Sequence, residues 1–215
     1  MTDLNMNTKL PGLNAINGFV APADALYVIF IGGNDVRDAL RITDRYEAKS
    51  IVLNAAKEVK LAIENLSQAG AKSFLLVNAP NVGIIPETRL IADETANKQL
   101  ISRARKLSKL YSKALNKVAA QIEDEKNIEI TEFNLFRFFN QLVRKAKKYG
   151  FTNTTDACVS TVTFLPHPEC DFDTFIFFDE IHPTARVHAI VGNAMAEVIL
   201  DEYEDEDDEH NNNDD

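Results

Sequence analysis

The chain has 215 residues, 45% of them hydrophobic, enough to bury one substantial core and to make one folded domain the natural expectation. Its formal charge of -10 is a local matter: residues 201–215 hold ten of the 33 acidic side chains and no Lys or Arg, so the other 23 acids match the 23 bases. A formally neutral body has no electrostatic footprint for nucleic acid or an anionic membrane, and no apolar run nears the length of a bilayer span.

Residues 1–9 are polar and lack the basic-then-apolar layout of a signal peptide. The first clear element is the apolar run Ala25–Ile31, closed by Gly32-Gly33, which suits a strand buried on both faces of a parallel sheet. A helix is expected over about Glu47 to Gln68, with Ile51, Ala55, Val59, Ala62, Ile63 and Leu66 on its apolar side and Gly70 as its stop. Ser73–Asn78 reads as a second buried strand. A second long helix is expected from about Asp93, as N-cap, to about Glu123, burying Leu100, Ala104, Leu107, Tyr111, Ala114, Val118 and Ile122. Ile128–Phe133 reads as a third strand and Leu135–Tyr149 as a helix stopped by Gly150. Phe151–Asp173 reads as a loop, Thr174–Phe178 as a short apolar run, and Pro183 as the first turn of a last helix through about Leu200. The basic clusters at Arg103–Lys109 and Arg144–Lys148 read as solvated helix faces. Strands alternating with helices predict an α/β layered fold with a mainly parallel sheet, followed over 201–215 by an acidic tail expected to be disordered.

Sites in such sheets form where strand C-termini open into loops, and two sequence features fall there. Asp179 precedes His182 by three residues, a spacing that lets a carboxylate hold the imidazole tautomer and stabilise the imidazolium formed on proton uptake. The same spacing equally suits an aspartate that merely caps the following helix. In Gly32-Gly33-Asn34-Asp35 the glycines allow a sharp turn and close approach, and the Asn34 amide can donate to a developing oxyanion. A plain Gly-Asn-Asp turn is the other reading. His182 and His188 lie six residues apart on a helix, off a common face, so neither a metal nor a cofactor is called for; His167 reads as a loop residue. Cys158 and Cys170 have no CxxC spacing, and a disulfide between them needs an oxidising compartment.

Taken together, G-x-N-D after a buried strand and D-x-x-H-P near the C-terminus resemble blocks III and V of the SGNH/GDSL hydrolases. Ala25–Asp35, Phe151–Cys158 and Phe178–His188 resemble the phospholipase and carbohydrate-esterase branch of that family. The resemblance implies a three-layer α/β/α sandwich of the flavodoxin-like kind over residues 1–200, and hydrolysis of a small-molecule, lipid or carbohydrate ester. It implies His182 as general base, Asp179 as its acid partner, Asn34 as an oxyanion-hole donor, Gly32 as the block III glycine and Asp35 as a structural residue. Related esterases are often secreted, which suits a Cys158–Cys170 disulfide.

The family's nucleophilic serine lies in a G-D-S-L-like segment on the first strand, before block III. The 24 residues before Ala25 contain no serine and resemble the stretch between blocks II and III. Ser50, Ser67, Ser102, Ser108 and Ser112 fall on predicted helices, Ser73 starts a strand and Ser160 lies in the cysteine loop, none beside a base. The expectation is a serine esterase whose serine block is missing from this chain, which by itself is then inactive or nearly so; the alternative is a degenerate, non-catalytic relative that binds a ligand or partner. Without the serine strand, Tyr27–Ile31 is expected to form an apolar, unpaired sheet edge prone to self-association.

Overall fold

The computed structural model describes residues 20–126 and 128–211. The stretch before Val20, including the segment read as lying between two motif blocks, falls outside the described residues, as does 212–215. The chain divides into two compact units, one comprising residues up to Ala79 and Lys109–Asn134, the other Pro80–Ser108 and the residues from Leu135 on.

The first unit is built on three parallel strands, β1 (Leu26–Phe30), β2 (Ser73–Val77) and β3 (Glu129–Phe133), in the order β1-β2-β3. Val28 lies opposite Leu75, and Leu75 opposite Thr131. Phe74 to Val77 of the central strand are all buried, as a run covered on both faces requires. That expectation fails for β1. Leu26, Val28 and Phe30 are exposed, because side chains two apart share one face and this strand lies at the sheet edge. Among the described residues no strand pairs with its outer side.

Between β1 and β2 run two helices, α1 (Gly33–Arg41) and α2 (Arg45–Gln68). The first was not foreseen: its Gly-Asn-Asp opening carries turn signals, yet Val36, Ala39 and Leu40 recur at i, i+3 and i+4 and are buried. In α2 the N-cap is Asp44, whose carboxylate accepts from the amides of Tyr46 and Glu47 at 2.8 Å. Its buried stripe includes Ala48, Val52 and Ala56, one residue on from the Ile51 and Ala55 expected. Gly70, with φ 118, terminates it as expected.

The second unit holds a 3₁₀ turn at Val82–Ile84, α3 (Pro86–Glu94), α5 (Leu135–Arg144), a second 3₁₀ turn at Ala146–Tyr149, β4 (Asn153–Ala157), β5 (Phe175–Phe177) and α6 (Ala185–Asn211). Helix α4 (Gln99–Lys126) contributes residues to both units. Asp93 therefore does not start the long helix; it sits near the end of α3. Ala96 takes a left-handed φ of 51 and Asn97 N donates to Ala92 O at 2.8 Å, a helix stop usually signalled by glycine and hidden here by alanine. In α4, Leu115 is buried in the place expected for Ala114. Strands β4 and β5 pair in parallel, and Cys158 and Cys170 are joined by a disulfide with Cα–Cα 4.8 Å. Phe139 packs edge-on against Phe177, and Phe175, Ile176 and Phe177 are buried. The last helix runs past Leu200 to Asn211, in keeping with the absence of Gly and Pro from 201–211. The architecture is α/β with parallel sheets, as the alternation of elements predicts.

Candidate active site

In the second unit, β5 ends at Phe177 and the chain makes a tight turn before α6. Phe178 N and Asp179 N both donate to His182 O, at 2.9 and 3.4 Å. Pro183 pairs back on Phe177 in an antiparallel bridge, and Thr184 donates from its backbone to Ile176 O and from its hydroxyl to Phe175 O. The helix begins only at Ala185, so Pro183 precedes it and does not form its first turn. Asp179 caps no helix either. Its Oδ1 accepts from the amides of Ile181 at 2.8 Å and His182 at 2.6 Å, fixing the turn itself.

The remaining capacity of that carboxylate goes to the imidazole. His182 Nδ1 lies 2.8 Å from Asp179 Oδ2 and 3.1 Å from Oδ1. Burial pushes the Asp179 carboxyl up, but the hydrogen bonds from the His182 ring, the His182 and Ile181 amides and the charge of His182 more than offset it, leaving its pKa below the ordinary value. An ionised carboxylate can only accept, so Nδ1 carries the proton and donates, and in the neutral ring it is Nε2 that presents a lone pair. Asp179 is buried while the His182 side chain is 66% exposed. A base oriented from behind and open in front is what proton abstraction from an incoming group requires.

In the first unit, Gly32 stands at the N-cap position of α1 with φ 107. A Cβ there would fall on the ring of Tyr111, whose hydroxyl donates to Ile31 O at 3.0 Å. Burial, aided by the charge of Asp35, raises the Tyr111 pKa, keeping the phenol a donor. Gly33, Asn34 and Asp35 thus form the first helical turn where a plain turn was the alternative. Asn34 is exposed, and its Oδ1 accepts from Arg37 Nη1 at 3.1 Å, which leaves the amide NH₂ as the donor end. Asp35 lies in the same turn, partly buried.

Sequence reasoning missed three supports. Tyr111 reads as one more apolar position of α4, and nothing in the local sequence signals its bond to Ile31. Thr184 carries no motif signal. Glu180, next to Asp179, is buried and accepts from Thr161 N at 3.0 Å and Thr161 Oγ1 at 2.6 Å, bonds that hold its pKa below the ordinary value against the upward push of burial. Three candidate serines are held by other partners: Ser108 by Val82 N and Ala104 O, Ser112 by Asn78 Nδ2, and Ser160 by the amides of Val162 and Thr163. His167 Nδ1 accepts from Glu169 N and its ring lies 5.5 Å from that of Phe175, while His188 is exposed on α6. Among the described residues no helix is long and apolar enough to cross a membrane.

A family model described as GDSL-like Lipase/Acylhydrolase matches residues 3–195. The chain is 24% identical over 186 residues to a GDSL esterase/lipase of Arabidopsis thaliana, covering 80% of this chain and 50% of the relative. It is 26% identical over 193 residues to the thermolabile hemolysin of Vibrio parahaemolyticus, covering 82% of this chain and 41% of that protein. With Lipase 1 of Photorhabdus luminescens it shares 25% identity over 261 aligned residues, covering 93% and 40%. The chain spans half or less of the length of these relatives.

Proposed function

The chain belongs to the GDSL-like lipase/acylhydrolase family, and from that premise we propose that the whole protein hydrolyses ester bonds by acyl transfer to a serine, with His182, Asp179 and Asn34 as its site residues in this chain. In this reading His182 Nε2 takes the proton of the attacking hydroxyl and returns it to the leaving alcohol. Asp179 holds the ring in the required tautomer and stabilises the imidazolium formed in between. The Asn34 NH₂ donates to the oxygen that gains negative charge in the tetrahedral intermediate. Gly32 permits the backbone turn that carries Asn34, and Asp35 is structural. Water then repeats the sequence on the acyl-enzyme, with His182 again the base.

The observation that carries the proposal is the paired, buried Asp179 behind an exposed His182. Among the described residues no serine is hydrogen-bonded to His182, so the nucleophile is proposed to come from outside 1–215, and residues 1–215 alone are expected to hydrolyse esters negligibly. The alternative of a binding module without chemistry is not favoured by the relatives, which are named as esterase/lipase, lipase or hemolysin. The test is hydrolysis of soluble p-nitrophenyl butyrate by the whole protein and its His182→Ala variant. Loss of the base should lower kcat by at least about 10³-fold. An unchanged rate in the variant would sink the proposal.

A further inference from the structure

Between Cys158 and Cys170 the chain turns outward in a short tip. Ser160 N donates to Leu165 O at 3.0 Å, Phe164 N donates to Ser160 O at 2.9 Å, and Val159 pairs with Pro166 in an antiparallel bridge. On this turn Val162 is 83% exposed, Phe164 81% and Leu165 65%. Phe164 adopts a left-handed φ of 57, a conformation costly for a bulky residue.

The base of the tip is tied to the segment that carries the acid and the base. Cys158 N donates to Phe177 O at 3.1 Å, Val159 N donates to Phe178 O at 2.8 Å, and Thr161 bonds the Glu180 carboxylate. Phe178 and Glu180 are the immediate neighbours of Asp179. Phe178 itself is exposed and stacks on the exposed Phe172, ring centroids 5.6 Å apart. Large apolar side chains therefore face water on two segments that are hydrogen-bonded to each other and to the turn of His182. Clustered exposure of that kind marks a surface that meets something apolar.

Charge decides what it meets. Residues 157–168 contain no Asp, Glu, Lys or Arg, and the charges that follow, Glu169, Asp171 and Asp173, are all acidic. Anionic lipid is repelled by those flanks, and an uncharged tip has nothing to offer a charged protein surface. A zwitterionic or neutral lipid surface complements both features, since it accepts apolar side chains at no electrostatic cost. We propose that the 160–165 tip docks into the surface of a zwitterionic or neutral lipid aggregate and presents the esters found there to His182. The proposal takes its purpose from the hydrolase reading above, while the docking itself needs no catalysis.

The chain contains no tryptophan, so Phe164→Trp supplies a single fluorescent reporter. With phosphatidylcholine vesicles its emission should shift to the blue, while Tyr46→Trp, at an exposed position of helix α2, stays unshifted. Adding Val162→Ser and Leu165→Ser to the reporter should weaken vesicle partitioning by at least about tenfold. No shift at saturating lipid overturns the docking. So does an equal shift of both reporters, or a shift without lipid that grows with protein concentration, which would mean that a second copy covers the tip. Hydrolysis of soluble p-nitrophenyl butyrate by the whole protein without vesicle binding also overturns the docking and leaves the hydrolase reading standing. Vesicle binding by the whole protein without any His182-dependent hydrolysis supports the docking surface and overturns the hydrolase reading instead.

Discussion

At Asp179 burial favours the neutral carboxyl, while two amides and the His182 imidazole favour the ionised one and prevail. A carboxyl whose pKa is lower in the folded state than in the unfolded chain adds stability above its ordinary value, about 3.9, and loses it as pH falls through the folded value. Asp179→Asn should therefore flatten the acid limb of stability against pH, read from urea midpoints between pH 6 and pH 3. Identical limbs in the two proteins would show that the carboxylate contributes nothing to folding. In the whole protein the same variant should lower kcat by about 10⁴-fold, because an amide no longer enforces the Nδ1–H tautomer. At Gly32 a left-handed φ and the ring of Tyr111 both exclude a side chain. Gly32→Ala should cost roughly 2–4 kcal/mol by urea unfolding, from backbone strain and overpacking together. Tyr111→Phe removes only the bond to Ile31 O and should cost about 1 kcal/mol.

Among the elements, those with clean periodicity and conventional ends were legible before any coordinates. Helix α2 has Gly70 after it, though its Asp44 cap lies ahead of the expected start near Glu47, and the buried run of β2 is bounded by Ser73 and the Asn78–Pro80 stretch. Helix α1 was hidden because glycine, asparagine and aspartate favour turns and caps alike, and only its packing through Val36, Ala39 and Leu40 decides for a helix. The break between α3 and α4 was hidden because an alanine takes the left-handed position where glycine is the usual sign. Strand β4, Asn153–Ala157, is too polar for an apolar-run criterion; it exists because β5 pairs with it. The disulfide at its end closes a loop of sequence separation 12, for which chain entropy predicts a contribution of about 3 kcal/mol. Reduction should lower the urea midpoint accordingly, and an unchanged midpoint would mean that Glu180 and the strand pairing hold the loop without it.

At the scale of the molecule, β1 is an apolar strand whose outer side has no partner among the described residues and whose Leu26, Val28 and Phe30 are exposed. An unpaired apolar edge favours pairing with a second copy, so residues 1–215 by themselves should associate with rising concentration in sedimentation experiments. Val28→Lys with Phe30→Lys should shift the population toward monomer. A wild type that stays monomeric and unfolds sharply and reversibly would overturn that expectation. The amino-acid sequence by itself determined the α/β alternation, the family and the candidate trio of Asn34, Asp179 and His182, because buried runs, helical stripes and motif spacing are local properties of the chain. Only the tertiary structure decided that Asp179 closes a turn and orients an imidazole where it could have capped a helix, that Glu180 ties an apolar tip to that Asp179–His182 turn, and that Tyr111 supports the Gly32 turn from a helix some 80 residues away. Those contacts join residues distant in sequence or set which of two local options a residue takes, and they come into being only when packing fixes which groups are buried together.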